Sequence, residues 1–134
     1  LSLYGNELNE NITPIEANLS WAIHKDRLND SRLNGQKLLL SQFKKGTSKR
    51  KIGLQSKSKS MLRSNIKIID KDKNELGIIT SGGFSPTLNS SIAIGYLNTH
   101  LEPNTNIYCL IRGNLEELKI VKLPFISHNY QKGK

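Results

Sequence analysis

Cysteine occurs once in these 134 residues, at Cys109. No intramolecular disulfide is possible, and a reducing compartment fits such usage. No apolar run approaches the ~18 residues a membrane helix requires, and no signal-peptide pattern opens the chain. Acidic residues are scarce, 11 against 20 Lys and Arg, which leaves a net charge of +9. That imbalance draws acidic partners and is silent about fold. Aromatics make up 6% of the chain, and none falls in the basic run 44–59 (KKGTSKRKIGLQSKSK). Single-strand nucleic-acid binders stack bases on aromatics along a basic groove, so this run reads as solvated surface. Phosphate-binding GxxxxGK[ST] and dinucleotide-binding GxGxxG patterns are absent. Clustered metal ligands are absent too, because His24, His100 and His128 are scattered without matching cysteines or acidic pairs.

What is present is one domain's worth of alternating sequence. A chain this long buries roughly two-thirds of its unfolded surface. Its first residue is Leu1 rather than Met, so a processed chain or a piece of a longer one is expected. Residues 1–25 read as a lead-in. Tyr4-Gly5-Asn6 is turn chemistry, and Thr13-Pro14-Ile15-Glu16 opens one helical turn with Thr13 as its cap. Leu19-Ser20-Trp21-Ala22-Ile23 alternates as a half-buried strand would. Residues 34–45 carry the one convincing helix. Asn34 is its cap, Leu39 and Phe43 share a face, Lys44 and Lys45 suit the C-terminal dipole, and Gly46 suits a left-handed cap.

After Gly46 the period changes to two. Strands are predicted at 50–56, 64–70, 75–80, 91–97, 106–112 and 117–123. The turns between them are at 70–74, Gly82-Gly83, Glu102-Pro103-Asn104 and Gly113-Asn114. Short strands without intervening helices imply an antiparallel barrel or sandwich. Strand 106–112 is apolar on both faces and is expected to lie centrally, with Cys109 buried and inert. Thr80-Ser81-Gly82-Gly83-Phe84-Ser85-Pro86-Thr87-Leu88 reads as a shaped turn. At least one of its glycines is expected at positive φ, which makes Gly83 a backbone requirement.

No catalytic group can be nominated from spacing. Glu7 and Glu10, and Glu116 and Glu117, are carboxylates in polar settings, without the apolar surroundings that tune a general acid.

The order of residues adds a resemblance. TSGGFSPTL is similar to the TSGxxSPxL loop of the aminomethyltransferases, the T-protein family of the glycine cleavage system. Residues 3–17 (LYGNELNENITPIEA) resemble the family's LYGxxxxxxxTPxEA segment, followed by Leu19-Ser20-Trp21. Leu33-Asn34-Gly35-Gln36-Lys37-Leu38-Leu39 sits where the family has FxGxEAL, with Leu for the aromatic and no acidic residue. Ile52-Gly53-Leu54 resembles VGL, Ser91-Ile92-Ala93-Ile94-Gly95-Tyr96 the IAxxY stretch, and Lys122-Leu123-Pro124-Phe125 the closing K-x-P-F.

By this resemblance the chain is a mainly β, α+β fragment: an antiparallel six-stranded barrel-like domain over 26–134, with one helix at 34–45. Residues 1–25 then thread back toward upstream folate-binding domains. The resemblance implies transfer of a one-carbon unit from the aminomethyl-lipoyl arm of H-protein to tetrahydrofolate, with release of ammonia. The family's catalytic aspartate lies upstream, so no catalytic residue is expected here. Tyr130, Tyr4 and Leu1 are expected to approach substrate or folate. Glu16 and Trp21 are expected to be structural, as a helix-start carboxylate and a core aromatic, and Arg112 to make a barrel-rim salt bridge. No metal, nucleic-acid or membrane binding is expected. The chain is expected to be a monomer in the cytoplasm, or in mitochondria in a eukaryote. The alternatives are the same domain in a dimethylglycine or sarcosine dehydrogenase, a basic nucleic-acid-binding barrel, and a structural module that only docks a partner.

Overall fold

The switch from helical to strand period after Gly46 is where the barrel begins. The computed structural model describes residues 2–58, 60–101 and 105–127. Leu1, His128, Tyr130 and the 102–104 turn lie outside the described residues. Six strands follow the α-helix α1 (Gln36–Lys45): β1 (Lys49–Ser56), β2 (Lys67–Ile69), β3 (Glu75–Ser85), β4 (Ser90–Asn98), β5 (Ile107–Ile111) and β6 (Asn114–Val121). They form a closed antiparallel barrel in the order β1-β4-β3-β2-β5-β6, and β6 returns to pair with β1. Closure leaves no edge strand to aggregate.

Inward-facing apolar residues of the strands fill the interior. Ile52, Leu54, Ile68, Ile79, Ile107, Cys109 and Leu118 are buried together in one cluster. Leu62 joins them from the β1–β2 connection and is fully buried. Its amide donates to the Ser91 hydroxyl at 2.8 Å. The prediction of a two-sided apolar β5 is corrected: Ile107 and Cys109 face inward while Leu110 is exposed. In a closed single-sheet barrel every strand has two neighbours and one interior face, so no strand is central.

The TSGGFSP reading is corrected as well. Gly82 and Gly83 lie inside β3, paired with Ala93 and Ile92, and neither has a positive φ. The turn comes later, at 86–89, where Asn89 takes φ 46° and its amide donates to the Pro86 carbonyl at 3.2 Å. What Gly82 supplies is room. A Cβ there would stand 2.7 Å from the Leu62 carbonyl oxygen, whereas one at Gly83 would meet nothing within 4 Å.

The helix also departs from its expected details. Gly35 at φ 76°, not Asn34, precedes it, without a side-chain cap. Leu39 is buried but Phe43 is exposed. The helix packs on the 3₁₀ turn Lys25–Asn29, and Gln36 Nε2 donates to the Leu28 carbonyl there at 2.7 Å. Gly46 does cap its C-terminus at a positive φ of 85°, but with ψ −179° it is not in the left-handed helical conformation expected of it. The strand expected at 19–23 is instead the 3₁₀ turn Ser20–Ala22, since five alternating residues fit a turn as well as a strand. Trp21, expected in the core, is 81% exposed.

Candidate functional site: the N-terminal segment on the barrel wall

Residues 2–18 carry no regular secondary structure and are held to the barrel by polar side chains. Thr13 and Glu16 cap one another: the Thr13 amide donates to Glu16 Oε2 at 2.9 Å, and the Glu16 amide to Thr13 Oγ1 at 3.2 Å. This turn is tied to β1, because the Lys51 amide donates to the Glu16 carbonyl at 2.9 Å and Asn18 Nδ2 to the Lys51 carbonyl at 2.8 Å. Glu16 thus has the structural role the sequence predicts.

Further forward, Glu7 is the hub. It is 2% exposed, although it is a carboxylate on a loop. The Leu3 amide donates to its Oε2 at 2.9 Å, and the Thr80 hydroxyl stands 3.0 Å from both its Oε1 and the Ile94 carbonyl. The Tyr96 hydroxyl donates to the Glu7 backbone carbonyl at 2.7 Å. Lys51 Nζ reaches Ser2 Oγ at 2.5 Å. Burial pushes the Glu7 carboxyl up, but hydrogen bonds from Ser81, Leu3 and Thr80 outweigh it and hold the group below its ordinary value. Burial lowers the Lys51 ammonium, and the Glu7 charge partly restores it. Tyr96 is pushed up to about 12 by burial and by the charges of Glu16 and Glu7. Near pH 7 this cluster holds Glu7 ionised and Tyr96 neutral. It fixes a chain.

The chain it fixes presents Leu3 and Tyr4 outward. Tyr4 is 75% exposed, and its backbone bridges to Leu8. Of the three residues expected to approach substrate, Tyr4 alone is described; Leu1 and Tyr130 lie outside the described residues. A cavity of about 620 Å³ opens between the N-terminal segment and α1, lined by Ile12, Pro14, Ile23, Leu38 and Leu39 with His24 and Arg27.

A second cavity, about 760 Å³, lies by the β5–β6 turn, with Arg63 and Arg112 among apolar Met61, Ile66, Leu110 and Ile111. The expected rim salt bridge of Arg112 is not formed: among the described residues neither arginine has a carboxylate within 4.0 Å. Arg112 is held at φ 51° ahead of Gly113 at φ 84°, the backbone of a two-residue hairpin turn that Asn-Gly more often supplies. Cys109 is inert as expected, its thiol pushed up to about 11 by burial and then by Glu116. Among the described residues no three of His, Cys, Asp and Glu gather as metal ligands would.

A family model described as the glycine cleavage T-protein C-terminal barrel domain matches residues 49–126. The chain belongs to this family. It is 43% identical over 133 residues to the mitochondrial aminomethyltransferase of Pisum sativum, covering 98% of this chain and 32% of that protein. It is 38% identical to the aminomethyltransferase of Prochlorococcus marinus, covering 99% and 34%. The crystal structure of glycine cleavage system aminomethyltransferase T from Bartonella henselae superposes with a TM-score of 0.88 at 32% identity, over 98% of this chain and 37% of that one. The chain therefore spans about a third of the length of these T-protein relatives. The N-terminal segment and α1 fall outside the barrel model but inside the longer matches, so they travel with the T-protein barrel.

The sequence reading missed the Glu7 hub, because Thr80 and Tyr96 are 73 and 89 residues from Glu7 and only folding brings them together. It missed the exposure of Trp21, because a lone aromatic in an apolar pentapeptide carries no sign of which way it faces.

Proposed function

We propose that this chain forms the C-terminal part of a tetrahydrofolate-dependent aminomethyltransferase of the glycine cleavage system. The reaction takes the one-carbon unit from the aminomethyl-lipoyl arm of H-protein, passes it to tetrahydrofolate and releases ammonia. The observation that carries this reading is the joint match of barrel and N-terminal segment to a T-protein structure over 98% of the chain. The same matches favour the T-protein over the flavin-linked dehydrogenases.

In this reading residues 1–25 link the barrel domain, 26–134, to the folate-binding part of a longer chain, which holds the catalytic aspartate. Tyr4, Leu1 and Tyr130 are its contacts to substrate or folate, and the exposure of Tyr4 supports its share. Exposed Trp21 stands on the same segment and joins them. The chain's own work is to position ligand and exclude water, which is proximity rather than proton transfer. H-protein is the acidic partner, and the guanidiniums of Arg63 and Arg112 beside an apolar cavity, with no carboxylate partner among the described residues, suit it. The protein acts as a monomer in the cytoplasm, or in mitochondria in a eukaryote, without binding nucleic acid or membrane.

A chimera tests the reading. These 134 residues replace the corresponding third of the pea enzyme, and methylene transfer to tetrahydrofolate is assayed with lipoylated H-protein. Transfer is expected from the chimera and none from the 134-residue chain alone. A folded, inactive chimera, or turnover by the chain alone, overturns the proposal.

A further inference from the structure

We propose that Glu7 is a positioning residue, whose buried carboxylate pins residues 2–8 to the barrel wall and so fixes where Leu3 and Tyr4 stand. The inference deepens the functional reading above and rests on it for the identity of the ligand.

The geometry is that of a loop tied from inside. Within the loop the Gly5 amide donates to the Leu8 carbonyl at 2.8 Å, and the Glu7 and Leu8 amides to the Leu3 carbonyl at 3.0 and 3.2 Å. These bonds shape the loop but do not attach it to anything. Attachment comes from three strands. Thr80 on β3 meets the Glu7 carboxylate, Tyr96 on β4 holds the Glu7 carbonyl, and Lys51 on β1 reaches Ser2. The Glu7 carboxylate is the member that joins the two systems, since one oxygen takes the Leu3 amide and the other the Thr80 hydroxyl. The charged group that faces it is Lys51 from β1; Thr80 and Ser81 supply the neutral side-chain donors, and Glu16 of the same segment acts on Tyr96 rather than on Glu7.

The apolar side chains of the loop do the opposite of anchoring. Leu3 and Tyr4 are both mostly exposed. A loop that spends a buried carboxylate on holding still, and turns its large side chains away from its own barrel, is built to present them. An aromatic ring and a branched aliphatic side by side suit the flat face of a heteroaromatic ring such as a pterin.

The first experiment is amide hydrogen exchange on the 134-residue chain and its Glu7→Gln variant. Glutamine keeps the shape and removes the charge. Loss of a hydrogen bond to a charged acceptor corresponds to roughly 10- to 100-fold in a local equilibrium. Exchange at Leu3 and Leu8 is expected to accelerate by that factor, while Ile79 and Thr99, whose amides bond within the barrel, are unchanged. Thr80→Val, which removes one donor from outside the loop, is expected to accelerate the same amides by a smaller factor. Unchanged exchange at Leu3 and Leu8 in both variants, or equal loss across loop and barrel, refutes the pin.

Acid gives an independent handle on the wild-type chain. The folded Glu7 carboxyl sits below its ordinary value of 4.5, so its grip is whole above that pH and fades as pH falls through the lower folded value. Loop exchange corrected for pH is expected to rise in that window ahead of barrel exchange; a simultaneous rise refutes the pin.

The second arm uses the chimeric enzyme. Glu7→Gln is expected to raise KM for tetrahydrofolate several-fold with kcat little changed. A faster-exchanging loop with unchanged KM refutes the positioning role. An inactive parent chimera defeats the functional reading instead, while the exchange result still decides whether Glu7 pins the loop.

Discussion

The two adjacent glycines of TSGGFSP should behave oppositely when given a methyl group. At Gly82 the new Cβ would stand 2.7 Å from the Leu62 carbonyl oxygen and 2.9 Å from its carbon. Real Cβ atoms essentially never approach a backbone atom so closely, so either β3 or the Leu62 backbone must move. Leu62 cannot move cheaply. It is fully buried in the barrel core, and its amide is held by the Ser91 hydroxyl, itself buried. Overpacking of this kind costs about 1–3 kcal/mol. At Gly83 the added methyl meets nothing within 4 Å, and φ is not in the left-handed region. There alanine only restricts the unfolded chain and should stabilise by about 0.4–1 kcal/mol. Gly82→Ala and Gly83→Ala should therefore lie on opposite sides of the parent in urea denaturation, with unchanged m-values. Equal destabilisation by both, or a neutral Gly82→Ala, refutes the idea that close approach rather than turn geometry fixes this pair.

Leu62→Ala, at a fully buried core position, should cost about 2–5 kcal/mol by the same assay, and a loss under ~1 kcal/mol would mean the barrel end is not packed by it. Tyr96 should titrate near 12 rather than its ordinary 10. The neutral phenol is the form favoured by folding, so its contribution is whole below pH 10 and is lost as pH rises through about 12. Near-ultraviolet phenolate absorbance of the chain, minus that of Tyr96→Phe, reads this value, and a difference titration centred at 10 contradicts it. Cys109, with its thiol near 11 and no exposed surface, should react with a thiol reagent at about pH 8 only as fast as the barrel opens; reaction at the rate of a free thiol would place it outside the core.

For β1, β4 and two local caps the sequence is a sufficient guide. Strand β4 was predicted at 91–97 and spans Ser90–Asn98, and β1, predicted at 50–56, spans Lys49–Ser56. Period-two burial on one face suffices to mark such strands. The Thr13–Glu16 capping box and the Gly46 cap were legible for the same reason, since both partners lie within a few residues. Less was legible where a choice depends on what arrives from far along the chain. β2, predicted at 64–70, shrinks to Lys67–Ile69, and β6 shifts from 117–123 to Asn114–Val121, because pairing partners set where a strand ends.

The sequence by itself determined the class of fold, the six strands and the family, because alternation, turn residues and ordered motifs are properties of neighbours. Tertiary structure alone decided the rest. It decided that Gly82 serves close approach to Leu62, that Trp21 faces outward, and that Arg112 has no acidic partner among the described residues. Above all it decided that Glu7, an unremarked polar residue near the start of the chain, is buried among donors from β3 and β4. A carboxylate's environment is the sum of groups within a few ångströms, and for Glu7 most of those groups are more than seventy residues away in sequence. No local pattern encodes that sum; the closure of the barrel does.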